Sequence, residues 1–268
     1  ISSDGNLGLE EGQKFERGGI YRFTVDVTKG NTKAVLTVEK VGKVDLPAPD
    51  IFFGNDKMEV TDTDIYKSEQ VFTQGQMITV TGIDNLNEWW IDPDFFEKQS
   101  DGALKFLPIN GDYRVTANAV LKYFSVMALK DGKPAKLQDD GTGAIWAIGK
   151  GIGKPSVASS EVGWEPGKAL CLAQVAPKKY QLTLKAGETL KTSGDPEVIS
   201  FKFFHQNDWG GEFGNYANSI LVEQLKLADS GNLEMQDNKA FEEGAVYRFT
   251  IDVTNGNANA DLKVEKIN

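Results

Sequence analysis

Residues 230–268 read SGNLEMQDNKAFEEGAVYRFTIDVTNGNANADLKVEKIN, and residues 4–42 read DGNLGLEEGQKFERGGIYRFTVDVTKGNTKAVLTVEKVG. The two stretches align without a gap, and 20 of the 39 paired positions are identical, among them Phe15/Phe241, Tyr21/Tyr247, Phe23/Phe249, Asp26/Asp252, Gly30/Gly256 and Leu36/Leu262. Each copy reads as a β-hairpin. Tyr21, Phe23, Val25 and Val27 alternate with Ile20, Arg22, Thr24 and Asp26, so side chains of period two fall on an apolar and a more polar face. Thr28-Lys29-Gly30-Asn31 supplies the glycine and asparagine that a tight reversal needs, and Ala34, Leu36 and Val38 begin the return strand.

A two-stranded hairpin cannot bury a core by itself. The second copy reads as the closing element of a domain. The first, covering 1–46, is therefore expected to be the matching fragment of another domain, docked on a neighbour or on another chain. The chain starts at Ile1, as a processed or trimmed form would.

Outward from the repeat, Leu46-Pro47-Ala48-Pro49 is a stiff extended spacer. Residues 47–130 carry short apolar or alternating runs at Gln76–Thr81, Ala103–Leu107, Asp112–Ala117 and Lys122–Ala128, separated by glycine- and asparagine-containing turns. No helical period competes with them, and the last two runs pair naturally as a hairpin. Beyond the charged boundary Lys130–Gly143, residues 131–268 repeat the pattern, with strands expected at Ala144–Ile148, Ala169–Gln174, Lys179–Leu184, Val198–Phe204 and Ser219–Leu227. The expected fold class is all-β, as tandem immunoglobulin-like β-sandwich domains.

Composition narrows the chemistry. The formal net charge of −10 over 268 residues opposes a phosphate backbone, so nucleic acid is a poor partner. No apolar run approaches the ~18 residues of a transmembrane helix. A single cysteine, Cys171, excludes an internal disulfide, and a single histidine, His205, excludes a multi-histidine zinc site. No cofactor or metal is expected. Gly149-Lys-Gly-Ile-Gly-Lys154 misses the phosphate-loop spacing and reads as a glycine-rich loop between strands. The oxygen-rich runs Thr61–Asp64 and Asp84–Asn87 fit turn capping better than a calcium loop.

Five tryptophans are more informative than the acids. Trp146 sits in the apolar run Ala144–Ile148 and belongs to a core, and of the adjacent Trp89 and Trp90 only one need be buried. Trp164 and Trp209 lie between turn residues, flanked by Asp, Asn, Glu and Lys. A sugar ring asks for that combination, an aromatic face for its C–H groups with polar neighbours for its hydroxyls. The alternative for each indole is that it plugs an end of a sandwich.

Ile145-Trp-Ala-Ile-Gly149, Trp164, Glu188, the strand Phe201-Lys-Phe-Phe204 leading to Trp209, and the ending Gly231-Asn-Leu…Phe241…Tyr247-Arg-Phe-Thr-Ile-Asp-Val-Thr254 resemble the SusE/SusF-type surface glycan-binding lipoproteins of Bacteroidetes polysaccharide-utilisation systems. The resemblance covers 140–268 and, through the repeat, 1–42. Residues 50–129 are similar only to generic immunoglobulin-like spacers. The sequence departs from the family pattern in a long Gly149–Gly163 segment and in Gly210-Gly-Glu-Phe-Gly214. The resemblance implies a non-catalytic protein of the cell surface, held at the outer membrane through an N-terminal lipid anchor, with a glycan ligand and outer-membrane transport proteins as partners. Trp164, Lys202 and Trp209 would lie at its sugar platform, with Asn207, Asp208 and Glu212 as further hydroxyl contacts. The competing readings are a structural adhesin or spacer, and a glycoside hydrolase in which Glu212 beside Trp209 is the most suggestive acid.

Overall fold

The computed structural model describes residues 15–192 and 198–268, and these are all-β, divided among six small sheets. The chain falls into two units, 1–49 and 50–268.

In the first unit, Gly19–Asp26 pairs antiparallel with Val35–Lys43, and Phe23 lies opposite Val38 and Val25 opposite Leu36. Gly30, at φ 89°, makes the reversal. Of the apolar residues of both strands, Ile20, Phe23, Val25, Val35, Val38 and Val41 are exposed, and Tyr21 and Leu36 are partly buried.

The second unit opens with a five-stranded antiparallel sheet in the order Lys133–Pro134, Tyr123–Lys130, Gly111–Asn118, Ile65–Phe72, Glu59–Asp62. Tyr113, Val115 and Ala117 alternate inward from its central strand, as period two requires. Two three-stranded sheets lie over the same apolar centre, where Phe53 packs edge-on against Phe72, Phe96 and Phe124. Trp89 is buried there, stacked on Phe124 at 4.5 Å. The expected single strand Gln76–Thr81 is two: Met77–Ile78 pairs with Leu104–Phe106, and Val80–Thr81 pairs with Phe52–Phe53.

Residues 140–268 form the remaining two sheets. One runs Glu161–Gly163, Trp146–Gly153, Ser200–Phe204, Leu233–Met235, Leu225–Leu227. The other runs Ala173–Ala176, Lys179–Lys185, Val246–Asp252, Asp261–Lys266, with Asn218–Ile220 added in parallel. Their apolar faces meet where Phe201 and Phe203 contact Phe249, at 5.5 and 6.4 Å between ring centroids.

Three sequence expectations need correction in this part. Ala169–Gln174, expected as one strand, is two: Leu170–Cys171 pairs with the Trp146 strand, and Ala173–Ala176 pairs with Lys179–Lys185 in the other sheet. The stretch expected as one strand, Ser219–Leu227, divides between the sheets, because the chain turns at Leu221–Gln224 and crosses from one to the other. The glycine-rich Gly149–Lys154 is not a loop. It continues the strand begun at Trp146, and its glycines let the backbone pass close over its neighbours: a Cβ at Gly149 would overlap the Phe201 backbone.

Candidate functional site

The strand Ser200–Phe204 divides its side chains by alternation. Phe201 and Phe203 enter the core, while Ser200, Lys202 and Phe204 take the opposite side. Lys202 is partly exposed, and its ammonium has no carboxylate partner among the described residues. After Phe204 the chain doubles back. His205 N–H donates to the Gly211 carbonyl at 2.7 Å and Phe213 N–H to the Phe203 carbonyl at 3.0 Å, with Gly210 and Gly211 in the left-handed region at the reversal.

Trp209 sits at the tip of this loop. Its N–H donates to Asp208 Oδ1 at 2.8 Å, and its carbonyl accepts from Gln206 Nε2 at 2.5 Å, so short polar side chains brace the backbone under the indole. The ring lies edge-on to Phe204 at 6.0 Å and nearly parallel to Trp164, 6.2 Å away with 26° between the planes. Trp209 is 50% exposed, and Trp164 is half-buried against the core. Trp164 follows Gly163, which is tied to Gly149 in the sheet, and precedes the turn Pro166–Lys168. Two rigid anchors thus carry the pair.

Asn207 and Asp208 lie on the same loop as Trp209, Asn207 partly exposed and Asp208 exposed, with one Asp208 oxygen taken by the Trp209 N–H. Glu212 is bridged to Phe204 on the returning arm and lines a separate depression with Asp139, His205, Asn215 and Asn257. His205 Nε2 and Asn257 Oδ1 are buried there without a partner among the described residues. Burial lowers the His205 pKa, and its ring stands edge-on to Phe213 at 4.3 Å. Such a neutral imidazole between a phenyl ring and amide side chains has hydrogen-bonding capacity left over.

Sequence reasoning missed a second cluster. Lys154 follows the glycine-rich strand, which ends at Gly153, and is buried, its Nζ 2.7 and 2.8 Å from the two Asp92 carboxylate oxygens and 3.0 Å from Asp94 Oδ2. Asp94 also accepts from Gln181 Nε2 (2.7 Å), Thr183 N–H (2.6 Å) and Thr183 Oγ1 (2.6 Å). Burial, and after it the Asp94 charge, raises the Asp92 pKa against the pull of Lys154, whereas at Asp94 the Lys154 charge and then the Thr183 and Gln181 donors overcome burial and hold the carboxyl below its ordinary value. The same carboxylates outweigh desolvation at Lys154 and raise its pKa. Trp90 completes the contact, its Nε1–H donating to Glu188 Oε1 at 2.6 Å with Lys154 Nζ 5.9 Å from its ring centre. Every oxygen of Asp94 and Asp92 already accepts a hydrogen bond. The cluster therefore clasps 50–137 to 140–268 rather than presenting a free acid and base to substrate. No local spacing announces it, since the partners are about sixty residues apart in the chain.

The sequence profile of the domain of unknown function DUF5121 matches residues 1–28 and 140–254, and that of the domain of unknown function DUF5125 matches residues 44–137. The two DUF5121 segments end at Thr28 and Thr254, which are counterparts in the repeat. No functionally curated protein matches the chain.

Proposed function

The chain belongs to the DUF5121 family, and we propose that it is a non-catalytic, surface-displayed glycan-binding protein built of immunoglobulin-like β-sandwiches. The sugar seats on Trp209 and Trp164. The reading rests on one observation, the pair of nearly parallel indoles at 6.2 Å, one of them half exposed at a loop tip. Asn207 and Asp208, on the Trp209 loop, and Lys202, on the strand that leads into it, are its hydroxyl-binding groups in this reading. Glu212 serves the neighbouring depression instead.

Magnitudes support a weak binder that needs both rings. A hexose face covering roughly 100 Å² of apolar surface on one indole contributes about 2.5 kcal/mol at about 25 cal/mol/Å². One ring alone falls short of the ~4 kcal/mol of a millimolar complex, so a second ring and two or three hydrogen bonds are needed to pass it. Repetition of the module along a surface protein raises avidity beyond a single site. The resemblance to SusE/SusF-type lipoproteins supports a lipid-anchored position at the outer membrane beside transport proteins.

Affinity electrophoresis across a polysaccharide panel tests the proposal. The wild-type chain is expected to be retarded by at least one glycan, Trp209→Ala to run freely, and Glu212→Ala to keep most of the retardation. No retardation by any glycan, or full retention by Trp209→Ala, refutes it. The buried clasp favours a second reading, a rigid spacer, and that reading predicts no glycan effect for any of these variants.

A further inference from the structure

The two copies of the repeat share sequence and internal geometry yet differ completely in surroundings. Phe15 and Tyr21 meet edge-on at 4.6 Å and 66°, and their counterparts Phe241 and Tyr247 at 4.6 Å and 70°. Opposed pairs are equivalent as well, Phe23 with Val38 matching Phe249 with Val264. Exposure is opposite: Phe23 is 51% accessible and Phe249 0%, Val25 60% and Ile251 0%, Val38 44% and Val264 2%. The second copy is buried from two sides. Phe201 and Phe203 cover its face, and Lys179–Lys185 pairs with its edge from Asp252 to Val246. The ion pair Lys179–Asp252, 3.1 Å, pins one end of that pairing. The first copy keeps the counterpart acid, Asp26, which among the described residues is held by the backbone and side chain of Thr28 and faces no lysine. Its outer strand edge has no strand beside it among the described residues.

From this we infer that residues 15–46 are the closing hairpin of a second DUF5121 fold. The occupant of their apolar face is a β-body of the kind formed by residues 140–229, lying N-terminal to them in the same polypeptide. Chain order supports this source, since in the resident fold the hairpin follows the body it closes. Stoichiometry rules against exchange between copies of this chain. Residues 1–268 hold one body of the 140–229 type for two hairpins, so a swap between copies of this segment leaves as many uncovered hairpins as before. The occupant's chemistry is specified: a free strand edge carrying a lysine opposite Asp26, and a phenylalanine pair to meet Phe23. The inference is independent of the sugar reading.

The test uses the full chain, alone and extended at its N-terminus by a second copy of residues 140–229. Hydrogen exchange is followed in strands 19–26 and 35–43. In the unextended chain these amides are expected to exchange fast. In the extended chain they should slow about a hundredfold or more, approaching strands 246–252 and 261–266, as amides do on joining a cooperative core. Phe23→Asp in the extended chain should abolish the gain. Because that variant also weakens the hairpin itself, a cross-link gives a second readout. Thr183 and Arg248 are opposed in the resident fold. Arg22→Cys combined with Thr183→Cys in the added body should therefore form a disulfide under mild oxidation. Three results overturn the inference: no gain in protection with no cross-link, protection already present in the dilute unextended chain, or protection that appears only with rising concentration. The second outcome places the hairpin on its own 50–268 unit, and the third places it on another copy.

Discussion

Replacing Lys154 by methionine removes the ammonium of the buried clasp while keeping most of its volume. Asp92 and Asp94 are left facing each other, both buried, with about 3–5 kcal/mol as the usual cost of an uncompensated buried charge. Two features of the structure pull the figure to the lower end. Asp92 is already biased toward its protonated form, and Asp94 keeps three donors, Gln181 Nε2, Thr183 N–H and Thr183 Oγ1. About 3 kcal/mol is expected at pH 7. With a urea slope near 3 kcal/mol/M, at the upper end for a unit this large, the unfolding midpoint should fall by about 1 M. The loss should depend on pH in a defined direction. An acid whose folded pKa is raised favours its protonated form in the fold, so the penalty grows as pH rises through the window above 3.8, and Lys154→Met should cost less at pH 5 than at pH 8. Adding Asp92→Asn should recover a large part of the loss. Chemical denaturation followed by tryptophan fluorescence measures all three. A Lys154→Met midpoint within 0.2 M of wild type, or a loss that shrinks with rising pH, would refute the account of the clasp.

Phe249→Ala should cost about 3–5 kcal/mol, whereas Phe23→Ala, at the aligned position, should stay within about 0.5 kcal/mol in the unextended chain; paired urea melts compare them. Asp94, held below its ordinary 3.8, contributes stability that is full above that value and is lost as pH falls through the lowered pKa, so Asp94→Asn should flatten the acid side of a stability profile between pH 5 and 2. Cys171, whose thiol burial pushes up to about 12, should resist a thiol reagent at pH 8 and react only once the chain is unfolded, as a spectrophotometric titration would record. Trp209→Ala should raise the dissociation constant for a bound glycan at least tenfold, read by the shift of mobility against glycan concentration.

Alternation and turn chemistry made the β-class and most strands readable from the residues, because period two is a local property: Gly111–Asn118 and Val246–Asp252 follow it without exception. What escaped was non-local. Gln76–Thr81 reads as one strand but serves two sheets, and Gly149–Lys154 reads as a loop because glycine lowers strand propensity wherever close packing, rather than flexibility, demands it. Among the proposed ligand contacts, the tryptophans were visible through their polar neighbours. Glu212 was grouped with them by closeness in sequence, and its bridge to Phe204 also sets it at the depression lined by His205 and Asn257, a placement no local pattern signals. Asp92 and Asp94 gave no signal at all, since an acid pair beside a proline looks like any solvated turn until its lysine arrives from the next segment.

The clasp also bears on inheritance. Two separate family profiles meet at residues 137–140, and the contact between the halves is written in charge. One side offers two acids and the other a lysine in a water-excluded seam. A transplanted neighbour with apolar residues at 92 and 94 would strand Lys154 in that seam, and one with a further lysine there would repel it. The partnership between the two modules is therefore policed by electrostatics as much as by shape, and domain shuffling would be expected to move them together.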